Sequence, residues 1–173
     1  MKTRGFTLVE VLVSLAIFTI IGGIAFNLLI SAIGVQRNAL SRQVLVDQTS
    51  FVIEYMSRSI RQAQKDEVGS CISPGLNYEL SSPNPTEIRF IDKDDNCRKI
   101  FLDAGIIKET IITETLPLTS DDIDIQDLRF ILLGATLPLD DLQPRVTFMI
   151  QAQDQSQNTL ILQTTISQRQ YDI

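Results

Sequence analysis

Residues 1–23 read MKTRGFTLVEVLVSLAIFTIIGG: two basic residues and a glycine, then a long apolar run with one carboxylate, Glu10, near its start. From Val11 to Ile33 there is no charged residue. As a helix that stretch reaches about 35 Å, enough to cross a bilayer hydrocarbon core of roughly 30 Å. Lys2 and Arg4 lie on its N-terminal side, so the positive-inside tendency leaves Met1 in the cytoplasm and sends the rest of the chain outward. A secretory signal peptide starts similarly, but its apolar stretch spans about 7–15 residues and ends in a small-residue cleavage site. Here the run is longer, and the small residue, Gly5, precedes it. Glu10 is out of place in such a segment, since a charge at the bilayer centre costs at least roughly 2.5–3.5 kcal/mol, which makes an intramembrane acid a candidate functional residue. Charge and spacing alone leave two readings: Glu10 reaches back to the cytoplasmic headgroups of a simple anchor, or it meets a positive partner in an assembly.

The stretch KTRGFTLVEVLVSLAIFTIIGGIAF resembles the N-terminus of type IV prepilins and of the pseudopilins of type II secretion. Leader length, Gly5, Phe6 and Glu10 all agree with that pattern. The resemblance implies cutting by a prepilin peptidase between Gly5 and Phe6 and methylation of the new N-terminus at Phe6. It also implies that Glu10 pairs with the N-terminal amine of a neighbouring subunit. The physics is coherent, because opposite charges about 4 Å apart attract far more strongly in an apolar interior than in water. The closing stretch LILQTTISQRQYDI resembles the last strand of minor pilins of the PilW and pseudopilin J kind. By this resemblance the partners are the prepilin peptidase, other pilin or pseudopilin subunits, the inner-membrane assembly machinery and, before assembly, membrane lipid.

The remainder reads as an ordinary soluble mixture. The 173 residues carry a net charge of −6, and no cluster of Lys and Arg follows Arg4, so the electrostatic footprint of a nucleic-acid binder is missing. There is no His, which removes the commonest general base and metal ligand. Ser and Thr abound, but no Ser-x-x-Lys pattern offers a base for a hydroxyl nucleophile, and no phosphate loop, nucleophile elbow or zinc spacing occurs. Neither a catalytic group nor a cofactor is expected. Cys71 and Cys97 both follow the apolar segment; an even pair suits a disulfide in an exported domain, and two free thiols in a cytosolic one.

Helical periodicity continues past the membrane run. Leu40, Val44, Phe51, Tyr55 and Ile60 recur at helix-like spacings beside Arg37, Arg42, Asp47, Arg58 and Arg61, so one helix over residues 6–64 is the simplest reading. Gly22-Gly23 and Gly34 are places where it can bend. After Lys65, turn residues separate short runs rich in β-branched side chains. Strands are expected at 76–80, 86–91, 98–103, 108–113, 124–132, 145–153 and 159–167. The expected fold is α+β and pilin-like: leader 1–5, membrane and assembly helix 6–33, amphipathic continuation 34–64, and a β-rich head 65–173 whose antiparallel sheet covers the helix stripe.

RFIDKDDNCRKIF reads as a hairpin turned at Asp94, Asp95 and Asn96. Asp92, Asp94, Asn96 and Asp103 sit at offsets faintly like a calcium loop, but Cys97 stands where the glycine belongs and Asp103 replaces the final Glu, so a plain turn is the expectation and no metal. SDDIDIQD and LDDLQP read as solvated acidic loops. The leading function is a structural filament subunit, probed against two alternatives: an anchored or filament-tip module binding DNA, a surface or an exported substrate, and a membrane-tethered enzyme.

Overall fold

The computed structural model describes residues 5, 7–81, 85–134 and 143–168. The chain falls into two units, Met1–Leu40 and Ser41–Ile173. One helix, α1 (Leu8–Arg61), runs without a break through Gly22, Gly23 and Gly34, where the sequence allowed a bend. Its start is capped by Thr7, whose Oγ1 accepts the Glu10 N–H at 3.4 Å, satisfying one of the donors that a first helical turn leaves without a partner. Glu10 in the first turn and Arg58 and Arg61 in the last match the helix dipole at both ends. The last turn is finished by the head: the Tyr78 hydroxyl donates to Ile60 O at 2.7 Å and Gln168 Nε2 to Ala63 O at 2.8 Å.

In the first unit the helix is exposed along its whole length. In the second it buries Leu45, Thr49, Val52, Met56 and Ile60, one stripe at spacings of three and four. This corrects the expected stripe: of its residues only Ile60 is fully buried, whereas Leu40, Val44 and Phe51 are exposed. The segment carries two apolar stripes, and Gln48 and Arg58 interrupt the losing one. The winning stripe has a single polar member, Thr49, whose hydroxyl bonds back to Leu45 O at 2.6 Å.

The head has two antiparallel sheets where one was expected. The first holds β1 (Glu79–Leu80), β2 (Glu87–Ile91), β3 (Cys97–Asp103), β4 (Ile106–Ile111) and β5 (Glu114–Pro117) in chain order; the second holds β6 (Ile123–Leu133), β7 (Arg145–Asp154) and β8 (Thr159–Ser167). β5 was not foreseen, because all four of its residues are exposed and no burial alternation marks it. β1 is shorter than the 76–80 expected, since Asn77 and Tyr78 leave the ladder and turn into the core.

Ile88, Phe90, Ile100 and Ile107 face α1 from the first sheet, and Ile123, Ile125, Leu128, Phe130, Val146, Phe148, Ile150, Ala152 and Ile166 from the second, all in one core. Strict alternation would turn β6 inside out halfway along. A bulge between Ile125 and Asp127 inserts the extra residue that keeps Leu128 and Phe130 inward. The second sheet is pinned to α1 at both ends. Asp154 Oδ2 accepts Ser41 Oγ at 2.8 Å and Asn158 Oδ1 accepts Arg42 Nε at 3.0 Å, while Gln168 closes on Ala63. From Ser41 to Arg61 the helix rises about 30 Å, and from Asn158 to Gln168 a strand rises about 33 Å. The lengths are close and both segments run from the Ser41–Arg42 end to the Ala63 end, so β8 runs alongside the helix in the same direction.

Candidate functional site

Within the first unit, Leu8, Phe18, Phe26 and Val35 are among many large apolar side chains more than half exposed. A helix apolar all round belongs in a membrane or in the core of something larger. Two of its hydroxyls are used internally: Ser14 Oγ donates to Glu10 O at 2.7 Å and Thr19 Oγ1 to Ala16 O at 2.8 Å, which removes their cost in lipid. Glu10 is exposed, and among the described residues no cation lies within ion-pair distance of its carboxylate. Gly5 is exposed, with nothing within 4 Å of where a Cβ would stand. Phe6 lies outside the described residues. The Thr-x-x-Glu pattern of Thr7 and Glu10 is a helix-start signal readable in the sequence, and it places the acid three residues inside the helix.

In the head, Cys71 and Cys97 are joined by a disulfide with a Cα–Cα distance of 5.3 Å. It ties the loop after α1 to the first residue of β3. That loop is built around Asp66, a residue that sequence reading passed over. Its Oδ1 accepts the N–H groups of Val68, Gly69 and Ser70, and its Oδ2 those of Cys71 and Ile72. Burial pushes the Asp66 carboxyl up, but the N–H groups of Cys71, Ile72, Ser70 and Gly69 outweigh it and hold it well below the usual carboxylate range. Gly69 has φ +79°, and a Cβ there would meet Pro74 Cγ at 2.8 Å, so the turn needs glycine.

The hairpin between β2 and β3 uses Asp92 in the same way. Its Oδ1 accepts the N–H groups of Asp94 and Asn96, and its Oδ2 accepts Arg98 Nε at 2.6 Å. Asp95 takes φ 60° at the turn, as Asp tolerates. Asp92 therefore organises the turn and an ion pair. Arg98 also reaches Glu109 Oε1 at 3.1 Å, and the Tyr55 hydroxyl donates to Glu109 Oε2 at 2.5 Å. Burial works against the Arg98 charge, but the Asp92 and Glu109 carboxylates overcome it and keep the guanidinium more firmly protonated than usual. Burial and the Glu109 carboxylate raise the Tyr55 phenol against the opposing pull of Arg98. This network clips α1 to the first sheet.

Of the acidic loops, Ser120 binds Gln48, and Asp122 accepts from Ser120; Asp140 and Asp141 lie outside the described residues. Among the described residues no group of three or more His, Cys, Asp or Glu is arranged to hold a metal.

Residues 1–26 match the family model described as the prokaryotic N-terminal methylation motif. The matched segment is similar to the N-termini of type IV prepilins and pseudopilins, structural rather than enzymatic proteins, and with the apolar helix it is consistent with anchoring in the inner membrane. Comparison with curated proteins and with solved structures found no match.

Proposed function

From a type IV prepilin-like N-terminus as premise, we propose that this chain is a structural subunit, and a minor one, of a type IV pilus or a type II secretion pseudopilus. It is inserted as a precursor with Lys2 and Arg4 in the cytoplasm. Prepilin peptidase cuts between Gly5 and Phe6, and the Phe6 amine is methylated. The apolar part of α1 then leaves lipid and packs among the helices of other subunits, handed on by the inner-membrane assembly machinery. Glu10 meets the Phe6 ammonium of a neighbour, turning a costly charge into a contact that fixes the axial position of each subunit.

The observation that carries this reading is the juxtaposition in α1 of an all-round apolar surface and a single acid in its first turn. A simple anchor needs the first, and the helix-dipole gain of about 0.3–1 kcal/mol from the second does not offset the cost of a charge in lipid. The work of the protein is assembly, not turnover, and no residue is assigned a catalytic role. Intact-mass analysis of the chain purified from membranes of cells containing prepilin peptidase tests the processing step. The expected N-terminus is an N-methylated Phe6; a stable chain that keeps Met1 contradicts it.

A further inference from the structure

Among the described residues the head has four sheet edges, and three are guarded. β1 has 2 residues, and β5 has 4 and ends on Pro117. β6 spends two of its outward donors on the other sheet's loops, Phe130 N–H to Pro85 O and Ile125 N–H to Gly105 O, each at 2.8 Å. β8 is different. It has 9 residues, and no charge occurs from Gln155 to Gln168 and no proline either. Unprotected edges of this length pair with other chains unless something blunts them, and charge, proline, bulges and short length are the usual devices.

The lateral direction of each β8 residue follows from the ends of its hairpin. Asp154 N–H donates to Asn158 O, and Gln168 N–H donates to Pro144 O, while the register between β7 and β8 is unbroken. The even-numbered residues therefore bond to β7. Thr159, Ile161, Gln163, Thr165 and Ser167 turn their N–H and C=O groups to the open side, and among the described residues no strand meets them there. The inner face at this rim is unfinished too, with Leu160 and Leu162 only half-buried. Val46, which is 47% exposed, and half-buried Ile53 lie on the flank of α1 that Arg42 brings to Asn158, four and eleven residues on along the same face.

We propose that the open edge of β8 accepts an extended segment of a neighbouring subunit in the assembly, uncharged and with alternate apolar side chains. Its backbone would pair with the five outward-facing residues, and its apolar side chains would continue the inner face from Leu160 and Leu162 towards Val46 and Ile53. The proposal rests on the assembly reading, because subunits held side by side by their helices present such a segment at an effective concentration in the millimolar range, where weak edge pairing suffices.

The test replaces outward donors in the full chain. Proline is tolerated where an edge N–H faces solvent, so Gln163→Pro and Thr165→Pro remove a donor that β7 does not use; Gln163→Ala keeps it. Head folding is scored by Cys71–Cys97 oxidation, and assembly by the ratio of cleaved chain in sheared filaments to cleaved chain in membranes. Both proline variants should fold and enter filaments roughly tenfold less than wild type, with Gln163→Ala unchanged. Normal entry of the folded proline variants overturns the proposal. If neither folds, amide exchange of the wild type decides: slower exchange at residues 161, 163 and 165 in filaments than in detergent supports the pairing, and equal exchange refutes it. A wild-type chain in detergent already paired through these amides would assign the edge to a second copy and overturn the partner named here. Wild type absent from filaments removes the assembly reading itself, and this partner with it.

Discussion

Arg98→Met is the most informative single change in the head. The side chain is 19% exposed, and it stands between carboxylates that are 5% and 3% exposed, Asp92 at 2.6 Å and Glu109 at 3.1 Å. Methionine preserves most of the length and packing while deleting the cation, which leaves two buried acids facing each other. Removing one member of a buried ion pair costs about 3–5 kcal/mol, and about 4 kcal/mol is close to a thousandfold in the unfolding equilibrium. Arg89→Met is the control. Its guanidinium, 46% exposed, pairs with Glu87 at 2.7 Å, and exposed pairs contribute at most about 1 kcal/mol. The assay is urea unfolding of the full chain in detergent, followed by protease resistance of the head at pH 7. The penalty should shrink as the pH falls, because, against the opposing effect of burial, the Asn96 N–H and Arg98 hold the wild-type Asp92 carboxyl below its ordinary range, and the share of stability that Arg98 supplies is lost as Asp92 takes up a proton. If Arg98→Met costs no more than Arg89→Met, the buried network does not hold the first sheet to α1.

Two further outcomes follow from the loop after α1. Replacing both cysteines by alanine should remove about 3.5 kcal/mol on the chain-entropy model for a sequence separation of 26, read as a lower urea midpoint relative to the oxidised wild type and absent when both proteins are compared in reductant. Asp66 has a folded pKa below its unfolded value, so its contribution is complete above the unfolded pKa of about 3.9 and is lost as the pH falls further. Asp66→Asn should therefore lower stability at pH 7 and flatten the acid limb of the pH–stability curve; an unchanged acid limb would show that the five N–H bonds do not favour the ionised form.

Much of the head was legible because its strands obey one rule. In β7, Val146, Phe148 and Ile150 alternate with residues on the solvent face, and the expected and observed strands nearly coincide. β8 coincides fully with expectation for the same reason. Where burial does not alternate, the sequence is silent: β5 is exposed throughout, and the division into two sheets depends on which distant edges meet. The choice between two apolar stripes on α1 was decided by Gln48 and Arg58, a difference of a few side chains that periodicity alone does not weigh. Asp66 left no signature because its partners are backbone N–H groups. Arg98 and Glu109 become neighbours only through the pairing of Ile100 with Glu109 and of Arg98 with Ile111. The N-terminal segment was the most readable part, since leader, Gly5, Phe6, Glu10 and the uncharged run are adjacent in sequence and need no tertiary structure to be recognised.

The central claim is that Glu10 is an assembly contact, and Glu10→Gln tests it directly. Glutamine keeps the shape, and Thr7 still caps the helix through the backbone N–H of residue 10. The neutral side chain is cheaper in lipid, so insertion and cleavage after Gly5 should be at least as efficient as in wild type. The measurement is the amount of cleaved chain in membranes and in sheared filaments, side by side for both proteins. The account predicts a variant that is cleaved normally and largely missing from filaments, because the neighbour's ammonium is left without its partner in an apolar interior. Equal amounts of wild type and Glu10→Gln in the filament fraction would contradict it and leave Glu10 as the polar end of a passive anchor.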